Sequence, residues 1–358
     1  MSHKPRELND PMNTLTPSRK GTRQALALAL TLGLSPLLAS GALAATPGYD
    51  EIHELPRGHY ALPEEGSVIG EDYTVVVEEG DTLVDIAREH NVGYEAIRMA
   101  NPDVSIWAPY ADTEVTIPAR RVLPDAERQG IVINLSELRL YYYSESDVVE
   151  TYPISVGREE FATPQGVTKT TIKVKDPAWA PPASMRREAA ARGEPAPSIV
   201  PAGPDNPLGR HAILLGLPSY LIHGTNKPDG VGMRVSRGCI RMFPQDIESL
   251  YERVPSGTRV NIIDQPVKIG WTQDEELLAE SYPALEENRE GFEPLMFAMD
   301  TLAKALGEAH PPVDYKRLRQ LVESPDGMAV SLLASGEDEP APEPPSLYEG
   351  IAEGVVEG

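Results

Sequence analysis

The sequence predicts a mainly β protein whose central domain carries one or two helices and is flanked by two smaller modules. Three observations carry this. Between Ile131 and about Asp264, apolar and β-branched runs recur at strand length while helical spacing is sparse. Ahead of it, residues 72–118 read as a β-prone run, two short helical stretches and a closing β run. Behind it, in residues 265–336, Leu277-Leu278, then Leu295 to Leu306 and Tyr315 to Val322, fall at helical spacing and predict a short helical region.

The whole chain has 358 residues, enough for two or three domains with ample core. Its 35 prolines are about twice the usual share of roughly 5% and imply long irregular connections. A formal charge of -23 excludes nucleic acid as a partner, because phosphate binding needs a surplus of lysine and arginine. With one cysteine the chain can form neither an internal disulfide nor a cysteine-based metal site, and no metal or cofactor is expected.

At the N-terminus, Arg19, Lys20 and Arg23 precede an apolar run from Ala25 to Leu38, and Ala42-Leu43-Ala44 follows as a small-x-small cleavage site. Residues 1–44 therefore read as a secretory signal peptide, the run being shorter than the roughly 20 apolar residues of a spanning helix. The expected mature chain keeps 27 basic and 53 acidic side chains, and is expected to be exported and soluble, with no membrane span. In an oxidising compartment an unpaired cysteine is exposed to oxidation, which makes its retention informative. Residues 45–70, rich in proline and glycine without periodicity, are expected to be a linker with no fold of their own. Residues 337–358 hold seven acids and no bases and are expected to be disordered.

In the first module, Tyr73 to Val77 is the opening strand, and Glu79-Gly80-Asp81-Thr82 is a turn and helix start. Leu83, Ile86 and Ala87 line the first helix. The second holds Ile97 and Met99 and stops at Asn101-Pro102, and Val115 to Pro118 closes the unit. The segments YTVVVEEGDTLVDIA, NPDV and TEVTIP resemble, in that order, a LysM module. The resemblance implies binding of N-acetylglucosamine-containing glycan; a spacer that holds the next domain off the membrane is the alternative. One departure is the turn before the last strand, where Ala111-Asp112-Thr113 replaces the usual glycine.

In the central domain, 129–264, Ile131 to Leu135 and Leu138 to Tyr143 flank Ser136-Glu137 as a tight hairpin. Val148 to Val156, Val167 to Val174, Ala212 to Ile222 and Arg259 to Ile263 are further strands. A helix starts at Pro244, presents Ile247, Leu250 and Tyr251 on one face and ends before Pro255. Residues 176–209, around a short helix from Met185 to Ala191, form a long insertion of the kind that serves as a lid or binding loop.

The only cysteine, Cys239, lies in Ser236-Arg237-Gly238-Cys239-Ile240-Arg241-Met242, and His223-Gly224 ends a strand 16 residues earlier. A free thiol is only a few per cent thiolate near neutrality, so a cysteine nucleophile needs a base beside it. Of the two histidines in this domain, His223 is the better placed and His211 the structural one. The Gly224 carbonyl can accept the second imidazole N–H and fix the tautomer. Small residues at Ser236 and Gly238 leave the sulfur accessible and let backbone N–H groups converge on an oxyanion. Arg234, Arg237 and Arg241 are expected to favour the thiolate or to hold a substrate carboxylate. A lone cysteine is more often packed than catalytic, and arginines are usually solvated. Export, the serine and glycine flanks and a histidine at a strand end shift the balance to a nucleophile.

The stretch IHGTNKPDGVGMRVSRGCIRM resembles the signature of L,D-transpeptidases with a YkuD-type catalytic domain, supported by YPISVG, by Thr163-Pro164-Gln165-Gly166 and by PAGPDNPLG before His211. The resemblance implies a YkuD-like β-sandwich or barrel. It also implies that Cys239 is the nucleophile, His223 the base, the Gly224 carbonyl its orienter, Gly238 and Cys239 backbone donors, and Arg241 the arginine that follows the cysteine. Arg237 stands where many members have histidine. The implied reaction is acyl transfer on peptidoglycan stem peptides in the periplasm: attack on the carbonyl of the third residue, a diaminopimelate, release of D-alanine, and resolution by an amine. That amine belongs to another stem or to an outer-membrane lipoprotein lysine. Water as acceptor, giving an L,D-carboxypeptidase, and a non-catalytic wall-binding protein are the alternatives.

Overall fold

The computed structural model describes residues 55–144 and 147–334. The expected leader, the first part of the linker and the acidic tail lie outside them.

The first strands fall where a linker was expected. β1 (His59–Ala61) pairs antiparallel with residues 148–150, and β2 (Val68–Ile69) pairs with residues 121–122. Segments of two or three residues are too short to show periodicity, and the glycines serve close packing instead of flexibility. Gly70 has a φ of +68°, and a Cβ there would sit 2.3 Å from the Ala119 carbonyl oxygen.

The βααβ unit follows. β3 (Tyr73–Val76) and β4 (Glu114–Ile117) pair antiparallel, with Tyr73 opposite Ile117. α1 (Leu83–Glu89) is capped by Thr82, whose Oγ1 accepts the Asp85 N–H at 3.1 Å. α2 (Tyr94–Ala100) packs beside it, and Leu83, Ile86, Ile97, Val115 and Ile117 form the core. Asp112 takes a φ of +64°, the left-handed conformation that a glycine would otherwise supply in that turn.

After β5 (Arg121–Val122) the main sheet is built from β6 (Gly130–Asn134), β7 (Arg139–Tyr143), β8 (Val148–Gly157), β9 (Gly166–Lys175), β10 (His211–Leu215), β11 (Leu221–His223), β12 (Arg234–Ser236), β13 (Ile240–Met242) and β14 (Arg259–Ile263). Its order is β1-β8-β13-β11-β10-β9-β14-β6-β7, and β7 pairs back to β8, which closes a barrel. The β11–β13 and β14–β6 pairings are parallel. Ile131, Ile133, Leu140, Ile154, Ile222, Ile240 and Val260 fill the barrel together with Ile247 and Leu250. The last two come from α4 (Pro244–Arg253), which starts at Pro244 as the sequence predicts. The 176–209 insertion carries α3 (Ala183–Ala191) and is held by Asn206, whose Nδ2 donates to the carbonyls of Pro177 at 2.8 Å and Pro201 at 3.0 Å.

Residues 265–334 of the region expected to be helical do carry two helices, but they also form a sheet that was not expected. β15 (Val267–Trp271), β16 (Leu277–Ser281) and β17 (Val330–Ser331) form a three-stranded antiparallel sheet covered by α5 (Pro294–Leu306) and α6 (Tyr315–Glu323). Every residue of β16 is buried, so Leu277-Leu278 shows none of the alternation that marks a half-exposed strand. Lys268 on β15 is buried between Glu137 at 3.0 Å and Glu280 at 2.7 Å, which fastens this sheet to the β6–β7 hairpin. Among the described residues no helix is long and apolar enough to cross a membrane.

Candidate active site

The parallel pairing of β11 with β13 sets the site. Ile222 lies opposite Ile240 and His223 opposite Arg241. Ile222 and Ile240 enter the barrel core, so strand alternation turns Cys239, Arg241 and His223 together onto the outer face. Extended by one pair, the register sets Cys239 against Leu221, diagonal to His223.

His223 is buried, and its Nδ1 lies 2.6 Å from the Gly224 carbonyl oxygen. Only a protonated Nδ1 can make that contact, which leaves the lone pair of the neutral ring at Nε2. Burial, reinforced by the Arg241 charge, lowers the imidazole pKa to about 4, against the opposing pull of the Gly224 and Leu208 carbonyls. Burial also pushes the Cys239 thiol up, and a backbone hydrogen bond at Leu221 and the Arg241 charge only partly offset this. The thiol donates to the Ser219 carbonyl at 3.5 Å. The resting pair is therefore neutral thiol and neutral imidazole, not the thiolate that the arginine cluster led one to expect.

The arginines divide. Arg234 is engaged by Glu287, with Nη2 at 2.9 and 2.7 Å from the two carboxylate oxygens, and its Nε donates to the Gly157 carbonyl. Arg237 pairs with Glu188 of α3 and stacks over Phe161, its guanidinium carbon 4.3 Å from the ring centroid. Both are committed to acidic and aromatic neighbours. Arg241 alone among the three bears on the thiol.

The loop before the cysteine is fixed by its own polar groups. Ser236 is buried, donates from Oγ to the Cys239 carbonyl at 2.6 Å and accepts the Gly238 N–H at 3.0 Å. Hence the Gly238 N–H, expected to face an oxyanion, is directed into the loop, and Ser236 shapes the backbone in place of contacting ligand. Gly238 has a φ of +101°, and a Cβ on it would lie 2.7 Å from the Tyr220 ring.

Thr163 holds the same loop from the other side, a contact that the sequence did not reveal. It is buried, and its Oγ1 accepts the Gly157 N–H at 3.0 Å and donates to the Gly238 carbonyl at 2.9 Å. The motif Thr163-Pro164-Gln165-Gly166 was the available signal, but nothing in it names a partner 75 residues away. His211 is buried behind the site, its carbonyl accepting the Gly224 N–H at 3.1 Å and its ring 4.8 Å from that of Tyr251. Among the described residues no group of three or more His, Cys, Asp or Glu side chains is arranged to hold a metal.

The βααβ unit is part of the site's surroundings. The N–H groups of Tyr94 and Glu95, opening α2, donate to the carbonyls of Val231 at 3.0 Å and Gly232 at 3.2 Å. Gly93 and Gly232 meet so closely that a Cβ on Gly232 would lie 2.4 Å from the Gly93 Cα. Between α1 and the 226–230 loop runs a cleft of about 560 Å³ that reaches Arg241.

Residues 128–262 match the family described as L,D-transpeptidase catalytic domain, and residues 75–118 match the LysM domain. Among curated proteins, the chain is 41% identical to the probable L,D-transpeptidase ErfK/SrfK of Escherichia coli (strain K12), over 76% of this chain and 90% of that one. It is 40% identical to the probable L,D-transpeptidase YbiS of the same strain, over 76% and 91%, and 44% identical to the probable L,D-transpeptidase YcfS, over 64% and 73%. A barrel that brings one cysteine and one histidine to a common face, joined to a LysM domain and matched over most of its length by such relatives, belongs to the YkuD-type L,D-transpeptidase family.

Proposed function

We propose that this chain is a periplasmic, cysteine-dependent acyltransferase acting on peptidoglycan stem peptides, exported by residues 1–44. The observation that carries the reading is the shared face of Cys239 and His223, with the imidazole tautomer set by the Gly224 carbonyl. As Sγ attacks the carbonyl of the third stem residue, a diaminopimelate, the thiol proton passes to Nε2 of His223. A neutral base of low pKa is available for this at any pH above about 4. The Cys239 N–H is the oxyanion donor, since that of Gly238 serves the loop. The imidazolium then protonates the departing D-alanine nitrogen, leaving a thioester on Cys239.

An amine resolves the thioester, from a second stem to give a 3→3 crosslink or from a lipoprotein lysine to give a covalent wall attachment. The LysM domain holds the enzyme on glycan. Incubation with a tetrapeptide muropeptide tests this: D-alanine is released and Cys239 gains the tripeptide acyl mass, and Cys239→Ala does neither. Absence of both from the wild-type protein overturns the proposal. Tripeptide without crosslinked product assigns water as the acceptor, and intact cellular crosslinks and wall-bound lipoprotein with Cys239→Ala as the only copy make the chain a binding protein.

A further inference from the structure

We propose that the cleft between α1 of the LysM domain and the 226–230 loop is the acceptor subsite, and that it takes a primary amine borne by a residue with a free carboxylate. The LysM domain then supplies part of the acyl-transfer site itself. This rests on the reading of Cys239 as the nucleophile.

Arg241 joins the cleft to the chemistry. It lines the cleft and stands in β13 two residues after Cys239, which immediately precedes that strand, a spacing of about 7 Å between their backbones if the extended backbone continues to Cys239. Arg234 and Arg237 pair with Glu287 and Glu188; Nη1 of Arg237 is also buried without a hydrogen-bond partner, but of these three arginines only Arg241 lines the cleft, and among the described residues it has no ion-pair partner. Its Nε is buried and, among the described residues, has no hydrogen-bond partner; the same holds for Nε of Arg88, which lines the opposite wall from α1. A buried donor without an acceptor is costly, and a carboxylate entering the cleft would supply one.

The cleft also carries the opposite charge. Asp85 on α1 and Asp229 on the loop line it, and both lie close to Arg88, at 3.6 and 2.6 Å. Lys227 adds an exposed cation at the rim. Cationic and acidic groups thus stand within one small space, which suits a zwitterionic residue better than a neutral sugar. The walls are preformed, because the backbone bonds of Tyr94 and Glu95 to the 231–232 segment and the Gly93–Gly232 contact hold the LysM domain in place.

In the step so placed, the acceptor enters as the free amine after giving its proton to solvent. Its nitrogen bonds to the acyl carbon as the carbon–sulfur bond breaks, with the electron pair leaving on sulfur. The surplus N–H proton passes through His223 to that sulfur, which restores the thiol.

The test separates the two half-reactions. The full protein is first acylated with a tetrapeptide donor, and resolution of the thioester is then followed with three acceptors: Nα-acetyl-lysine, its carboxamide, and a diaminopimelate-containing stem tripeptide. The wild type is expected to use acetyl-lysine at least roughly tenfold better than the carboxamide, the value of a charge-assisted hydrogen bond. Comparing acetyl-lysine with the tripeptide tells which spacing of amine and carboxylate the cleft prefers. Lys227→Ala, in an exposed loop, and Arg88→Gln are expected to lower that preference severalfold with no change in the acylation rate of Cys239. Equal use of acid and carboxamide by the wild type overturns the proposal without any variant. So does a loss in both variants that falls on acylation. If Cys239 takes up no acyl group at all, the failure belongs to the proposed function and not to the cleft.

Discussion

Replacing Thr163 by valine removes one hydroxyl and keeps the side-chain shape. That hydroxyl holds two buried backbone groups, the Gly157 N–H at the end of β8 and the Gly238 carbonyl. Each buried group left without a partner costs about 1–3 kcal/mol, so the variant should lose about 2–6 kcal/mol of stability. Thr163→Ser keeps both bonds and loses one methyl group, about 1 kcal/mol. The catalytic consequence follows from covalent geometry. The Gly238 carbonyl and the Cys239 N–H belong to one planar peptide unit, so freeing the carbonyl lets the proposed oxyanion donor swing away, and removal of such a donor typically slows turnover by roughly a hundredfold or more. Urea unfolding and the rate at which a carbapenem acylates Cys239 measure the two effects. Equal stability and equal acylation for valine and serine would show that this hydroxyl does not position the loop.

Further outcomes follow from the same geometry. Gly238→Ala combines a φ of +101° with a Cβ placed 2.7 Å from Tyr220, and should cost about 1–3 kcal/mol and depress acylation sharply; wild-type behaviour in a melt and in carbapenem labelling would contradict this. Because His223 is held neutral to about pH 4 and an unfolded histidine titrates near 6.5, the unfolded chain binds the extra proton between these values. Folding stability is complete above pH 6.5 and falls by about 1.4 kcal/mol per pH unit toward pH 4, about 3 kcal/mol in all. His223→Gln should remove that component, and denaturation curves of the two proteins with the same pH slope would refute the assignment. A Cβ on Gly232 would meet the Gly93 Cα at 2.4 Å and the Tyr94 N at 2.3 Å, so Gly232→Ala should undock the LysM domain and expose the 118–129 connection to protease; an unchanged digestion pattern would contradict the tight contact.

Much of the barrel was legible because β6 to β9 and β14 are runs rich in Val, Ile, Thr and Tyr, and α4 because proline at its first position and the stop at Pro255 mark both ends; Ala212 to Ile222, expected as one strand, is instead the antiparallel pair β10 and β11. β1 and β2 were not legible, since three and two residues carry no period and their partners are distant in the chain. β16 was misread because Leu277-Leu278-Ala279-Glu280 is made of good helix formers, whereas β6 and β7, equally buried on both faces, are rich in Val, Ile and Tyr. At the site, the sequence brought Cys239, His223 and Gly224 to notice through residue chemistry alone. It gave no means of seeing that Glu188 and Glu287 occupy two of the three arginines, that Ser236 turns the Gly238 N–H inward, or that Thr163 anchors the same loop. Those are long-range pairings between side chains or backbone groups with no local signature. The protonation states show the same limit. Counting cations near the thiol suggested an anionic sulfur, whereas burial, which the sequence does not reveal, keeps both partners neutral.

The pH dependence of Cys239 acylation by a tetrapeptide donor, measured as intact protein mass under second-order conditions, tests the neutral thiol–imidazole pair most directly, because such a profile reports the groups of the free enzyme. With His223 lowered to about 4, the acylation rate should hold level from neutrality down to about pH 5, fall to half near pH 4, and lose this acid limb in His223→Gln. A half-maximal rate near pH 6.5 or above in the wild type, or an acid limb that persists in the variant, would contradict it.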